Sequence, residues 1–460
     1  MSSLLVKHAR LVVTMDSERR ELPNCDVLIR DGVIAEVSPG LSPRDVDEEV
    51  DATGCLVIPG LVNSHNHVFG TLFRTAPSLQ RVLPRQWISG LFGLVEGRPV
   101  PPEAWDAVAR AHFAKALLTG CTLTADHHWF YPAGHPKEFV DQEVKAAREL
   151  GIRLHASRGC ITRRGVLPDG LIEDENEVLE HAAEMINRYH DPGPHSMVRV
   201  FLAPTGLDCD TRAIFTEMRA LAERYERVQL HTHVYPGYAP RADAVQRLYG
   251  CAPLEFLENV GWVGENVLLY HFTTKDLADV QRVAQQESWV SVCPAMDMRM
   301  SFAGPSGALP PLRDLLDASG RVCLGSSNQA MNEGTNLLHD MHICWLAERL
   351  RTEDPKRWLT ARDVLWMATR GGCLALGREE LGAIEAGMGA DLALFDLEGI
   401  EMACHVDPIP ALFGWTGFTR ATIVNGRVVV REGRLLTADQ DAVAREANRW
   451  SRDVLTMSTS

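Results

Sequence analysis

Between residues 60 and 380 one pattern repeats: a short apolar run, then a longer amphipathic stretch, then another apolar run. The apolar runs fall at 56–64, 121–126, 153–157, 198–204, 228–233, 267–271, 289–293 and 322–325, with amphipathic stretches such as 102–118, 138–150, 214–225 and 276–286 between them. Short runs rich in Val, Leu and Ile read as buried strands, whereas apolar residues every three to four positions over more than ten residues read as helices. Regular alternation of the two is the signature of a parallel sheet covered by helices. Eight strand candidates favour a (β/α)8 TIM-like barrel, an α/β fold, over a doubly wound sheet. In such a barrel, chemistry gathers at the C-terminal ends of the strands.

The two ends of the chain have a different texture. Runs at 4–15, 26–36 and 49–58 are short strands separated by turn signals such as Asp31-Gly32 and Pro39-Gly40. Runs at 391–397 and 421–430 look alike, the latter a strand pair turning at Asn425-Gly426. The expected organisation is therefore a small β-sandwich domain built from 1–59 and 381–440, a barrel over 60–380, and a C-terminal helix with a polar tail over 441–460.

A net charge of −15 argues against nucleic acid or an anionic membrane as partner. No apolar run reaches transmembrane length, and the first residues lack the basic-then-apolar layout of a signal peptide. Eleven cysteines are scattered without a CxxC pair, as free thiols in a reducing compartment would be. The expectation is a cytoplasmic enzyme whose partner is a small molecule.

Histidines mark the strand ends. His65 and His67 close the run Pro59-Gly60-Leu61-Val62-Asn63-Ser64-His65-Asn66-His67, His231 and His233 flank Thr232, and His271 follows Leu268-Leu269-Tyr270. Positions i and i+2 of a strand share a face, so His65 and His67 can hold one metal ion. Imidazole suits Zn2+, with Fe2+, Mn2+, Ni2+ and Cu2+ also compatible. His231 shares the face of His233 and is either a supporting residue or a structural histidine. Phe69, Phe73, Trp87, Trp129, Phe130, Met298 and Met331 lie in loops around these strand ends, and flat apolar walls suit a planar heterocycle. Asn328 and Gln329 are placed to read its ring nitrogens.

The ordered series of these motifs resembles the amidohydrolase superfamily over nearly the whole chain. It includes Val57-Ile58-Pro59-Gly60 leading into His65 and His67, Thr124-Ala125-Asp126-His127-His128, His231-Thr232-His233, His271, Gly389-Ala390-Asp391-Leu392 and Ile423-Val424-Asn425-Gly426. It is most similar to the branch of triazine hydrolases and guanine, 8-oxoguanine and cytosine deaminase-like enzymes. Arg81-Val82, Trp87, Leu248-Tyr249-Gly250 and Asn336-Leu337-Leu338 resemble the triazine hydrolase type. The resemblance implies one metal held by His65, His67, His233 and His271, and a homodimer. Two departures stand out. The catalytic Glu three residues after the third ligand is replaced by Pro236, and the strand-eight Asp by Ser327, where triazine hydrolases tolerate a hydroxyl residue.

Four neutral imidazoles leave the full charge on a divalent ion, so a bound water titrates near a pKa of ~7 and a metal-bound hydroxide needs no dedicated base. What is missing is a proton for a leaving amine, a service typically worth about 10²–10⁴-fold. Replacement donors in the sequence are His128, Glu333 and His127, with Asp297 and Tyr235 behind them. The expected activity is metal-dependent hydrolysis of a C–N or C–X bond on a planar nitrogen-rich ring or related compound. Alternatives are a metal-assisted lyase, isomerase or cyclase on the same scaffold, or an inactive ligand-binding homologue.

Overall fold

A computed structural model describes residues 2–43, 45–300, 309–332 and 334–457. One sheet consists of parallel strands at Leu61–His67, Cys121–Asp126, Arg153–Cys160, Val198–Pro204, Leu230–His233, Val267–Tyr270 and Trp289–Val292, followed by a broken strand, Val322–Leu324 and Ser327–Asn328. In that order these are barrel strands 1 to 8. Each pairs with the next, and the second piece of strand 8 returns to strand 1 through Ser327↔Asn66 and Asn328↔His67. The sheet thus closes on itself, and the fold is a (β/α)8 barrel.

Alternation along each strand makes two cores. Val62, Leu123, Ala125, Phe201, Leu268 and Tyr270 fill the barrel. Residues of opposite parity, such as Leu61, Leu154 and Val200, pack outward against helices including Pro102–Leu118, Phe139–Leu150 and Glu175–Tyr189. Strand 8 breaks where it meets strand 1: the Gly325 and Ser326 amides bond to Val292 and His65 carbonyls. A Cβ on Gly325 would lie 2.8 Å from the His65 carbonyl oxygen, so only glycine permits this approach.

The second sheet combines both chain ends. Ser3–Val13 pairs antiparallel with Glu21–Arg30 and parallel with Glu48–Asp51 and Cys55–Pro59. Leu392–Asp396 lies antiparallel between Cys55–Pro59 and Ala421–Val424. Asn425 and Gly426, both at positive φ, turn the chain into Arg427–Arg431. Val6, Val27, Leu392 and Ile423 contribute to a separate core. A buried Arg153–Asp391 pair, 2.8 Å apart, ties the start of strand 3 to this sheet.

The structure corrects the boundary of the first barrel strand. The run 56–64 is not one strand: Cys55–Pro59 belongs to the end sheet, and Leu61–His67 starts the barrel. Gly60 marks the crossing, where a Cβ would sit 2.1 Å from Thr122 Oγ1. Apolar continuity runs through this boundary because both strands are fully buried. The run 26–36 likewise splits at Asp31-Gly32, both at positive φ, into Glu21–Arg30 and Val33–Ser38. The C-terminal helix, Gln440–Met457, is anchored by Ser451 Oγ donating to the Leu72 carbonyl at 2.7 Å. No helix among the described residues is long and apolar enough to cross a membrane.

Candidate metal centre and active-site cavity

His65 and His67 end strand 1, His233 ends strand 5, and His271 follows strand 6. Their rings converge: His65 lies 4.7 Å from His67, 5.0 Å from His233 and 5.5 Å from His271, centroid to centroid. All four are buried. Three are oriented through Nδ1, which donates to the His127 carbonyl from His67 (2.6 Å), to the Thr205 carbonyl from His233 (2.6 Å) and to Asp297 Oδ1 from His271 (2.5 Å). Fixing the proton on Nδ1 leaves Nε2 as a lone-pair donor, the usual arrangement of a metal-ligating histidine. Neither nitrogen of His65 has a protein partner. Its ring stacks 3.6 Å from Tyr270, whose hydroxyl bonds to His231, so His231 supports the floor of the site.

Burial, reinforced by the neighbouring histidines, holds His65 and His233 well below the usual imidazole range. Burial pushes His67 down to about 3. These rings are neutral, as ligands must be. Ligand atoms of His65, His67 and His233 lie within 4.8 Å of one another. Orphaned nitrogens, fixed tautomers and an all-imidazole donor set fit one divalent ion. Cys293 approaches His65 and His271 as closely, but burial raises its thiol well above the usual range, which makes it a poor ligand.

Three residues of the site have strained backbone. His271, Ser327 and Tyr235 all have positive φ, at 53°, 56° and 44°. Such conformations cost on the order of 1–3 kcal/mol each and persist where surrounding structure enforces them. Ser327 Oγ consequently lies 3.4 Å from His271 Nε2.

A partly open cavity lies above the histidines. Trp87, Trp129, Asn328, Met296, Met300 and Tyr235 are among the residues lining it. Gly70 makes room for Asn328, because a Cβ there would lie 2.0 Å from Asn328 Oδ1. Pro236 and Gly237 form a turn closed by the Tyr238 amide on the Tyr235 carbonyl (3.1 Å), and a Cβ on Gly237 would lie 1.9 Å from the Thr273 carbonyl oxygen. This turn brings the Tyr235 ring parallel to His233 and His271, at 5.9 and 5.1 Å. Burial raises its phenol well above the usual range, so it is a hydrogen-bond donor and not a base.

Several sequence expectations occupy other places. Glu333 lies outside the described residues. His127 faces the barrel interior, stacked 4.7 Å from His233, with Nε2 donating to the Ala203 carbonyl at 2.8 Å; it does not line the cavity. His128 has the opposite parity and lies behind the barrel wall, its ring stacked 4.0 Å from Phe139. Phe69 supports the wall from behind, stacked on Phe130 and edge-on to Trp129. Met298 is 43% exposed, and helix Pro294–Met300 turns its i, i+4 neighbours Met296 and Met300 into the cavity instead. Asp297, read as a rim acid, is buried against His271.

Sequence reasoning missed Asp208 and Arg241. They form an ion pair at 2.6 Å on the cavity wall, with the guanidinium 5.0 Å over the Tyr235 ring. The two follow strands 4 and 5, and only that position marks them in the sequence.

A closed (β/α)8 barrel with buried, converging imidazoles at its strand ends defines a metal-dependent hydrolase. The chain belongs to the amidohydrolase family, whose model matches residues 56–429. It is 31% identical to hydroxydechloroatrazine ethylaminohydrolase of Pseudomonas sp. strain ADP, covering 99% of this chain and 96% of that protein. It is 30% identical to 8-oxoguanine deaminase of Pseudomonas aeruginosa, over 84% and 85% of the two chains. The zinc complex of atrazine chlorohydrolase from Arthrobacter aurescens TC1 superposes with a TM-score of 0.92 at 34% identity, over 97% and 100%. The relatives are thus hydrolases and deaminases of nitrogen-rich rings.

Proposed function

We propose that this chain hydrolyses a C–N or C–X bond of a planar nitrogen-rich ring, with Zn2+ held by His65, His67, His233 and His271. One observation carries the reading: neutral imidazoles floor an aromatic cavity whose only carboxylate among the described lining residues, Asp208, is paired with Arg241. These histidines would hold a divalent ion, which would supply Lewis acidity at the floor of the cavity. Zinc is favoured by the donor set and by its presence in the similar chlorohydrolase structure.

The chain's own groups do the rest. Asp297 holds His271 in its ligating tautomer. Trp87 and Trp129 offer flat surfaces for the ring, and Asn328 Nδ2, which lacks a protein partner, is available to donate to a ring nitrogen. Water contributes oxygen to the ring carbon, X departs with its bonding electron pair, and a proton is released. Chloride or thiolate departs without protonation, whereas an amine requires a donor that Pro236 does not provide. The leaving-group class favoured is therefore halide or thiolate.

This reading includes a cytoplasmic homodimer: the eleven free thiols, ten of them buried, suit a reducing compartment, and the dimer follows from the family resemblance. Zinc-loaded protein should be assayed on matched chloro-, methylthio- and amino-substituted triazines and pyrimidines in ¹⁸O-labelled water. Chloride or thiolate release about 10²-fold faster than amine release is expected, with label in the product. Faster amine release would refute the leaving-group argument. Turnover without label would favour the lyase or isomerase alternative that Pro236 motivates.

A further inference from the structure

A second set of ligand-type side chains lies behind strand 2. Ala125 points into the barrel, so its neighbour Asp126 points outward, and His128 follows with the same parity. Both enter the layer beneath helix Phe139–Leu150, whose buried Glu143 meets them. The three residues are each 0% exposed, and one ligand atom from each lies within 4.8 Å of the others. That is the same bound that encloses the ligand atoms of His65, His67 and His233.

The polar accounting of this layer does not close. Asp126 Oδ2, both Glu143 oxygens and both His128 nitrogens lack a well-formed hydrogen bond. The two carboxyls face one another closely enough to interact, but not in aligned hydrogen-bond geometry. Aromatic rings enclose the imidazole: Phe139 stacks on it at 4.0 Å, and Tyr131 and Phe69 meet it edge-on at 4.6 and 5.6 Å. Buried polar groups without well-aligned partners are rare in folded proteins, and this cluster calls for an occupant between the side chains. Burial penalises the ionised form of both carboxyls, and a divalent cation would offset that cost while using the imidazole. The nearby guanidinium of Arg158 is already neutralised by Glu173, at 2.6 Å.

We propose that Asp126, His128 and Glu143 hold a second divalent cation, of the kind that takes mixed carboxylate and imidazole donors, such as Zn2+ or Mn2+. The site is closed to solvent and its role is structural. Asp126 Oδ1 accepts from the Val68 amide at 2.5 Å, one residue past His67, and the His127 carbonyl between the two outward side chains accepts from His67 Nδ1. A cation here would fix the segment that orients a ligand of the catalytic ion.

The test is the metal content of purified holoprotein, with anomalous diffraction at the zinc edge from zinc-loaded crystals. Two equivalents per chain are expected, falling to one in Glu143→Gln and in His128→Asn, with an anomalous peak among the three side chains. Glutamine preserves the size of Glu143. If either variant fails to fold, the wild-type anomalous map still decides. One equivalent in the wild-type protein, or an anomalous map without that peak, overturns the proposal, as a water or a shared proton would then fill the layer.

Discussion

Replacing Asp297 with alanine removes the carboxylate that fixes His271. The His271 Nδ1–Asp297 Oδ1 contact is 2.5 Å, and the two side chains are 0% and 1% exposed, so water does not replace the lost acceptor. A hydrogen bond to a charged group contributes about 1.5–3 kcal/mol. Outer partners of metal-ligating histidines typically contribute 10–100-fold in metal affinity, which is about 1.4–2.7 kcal/mol. The two routes agree, so Asp297→Ala should weaken metal binding by about 10–100-fold. Asp297→Asn retains an acceptor oxygen but loses the charge, and should fall between alanine and wild type. Competition against a chromophoric chelator reads the affinity, and a thermal melt of the metal-free protein controls for folding. An alanine variant that binds metal within twofold of wild type, with an unchanged melt, would show that Asp297 does not set the ligand's basicity or orientation.

Three other perturbations follow from the geometry. Arg153→Met leaves Asp391 buried without its guanidinium, and should cost about 3–5 kcal/mol in denaturant unfolding, with part recovered when Asp391 is also replaced by an apolar residue. His112, buried and held down to about 3, binds a proton more readily when unfolded. Stability contributed by neutral His112 is therefore fully present above pH 6.5 and lost as pH falls towards 3, and His112→Gln should flatten the stability–pH curve by up to about 1.4 kcal/mol per pH unit in that window. Pro236→Glu should raise amine release relative to chloride release by about 10²-fold if the missing acid limits the leaving group, whereas equal changes in both rates would contradict that role.

The barrel was legible because burial on both faces writes parallel strands as apolar runs, as at 121–126 and 198–204, which match the observed strands. The same rule misled at 56–64, where two strands from different sheets are both buried and their apolar letters run together across Gly60. The histidine cluster was legible because its members sit at or next to strand ends, where the i, i+2 rule fixes direction. The cavity wall was less so. Whether His127 or His128 faces the barrel depends on where the strand parity starts, and the register of strand 2 supplies that. Met296 and Met300 against Met298 is a question of helix phase in a short segment. The Asp208–Arg241 pair joins the turn after strand 4 to the helix after strand 5, which no local pattern signals.

The most direct measurement compares metal content in wild-type protein and a His65→Ala/His67→Ala variant by elemental analysis. The account predicts that the variant loses one equivalent per chain and all hydrolytic activity while keeping its fold by circular dichroism. Unchanged metal content, or activity that survives the loss, would contradict a catalytic ion held by the strand-end histidines.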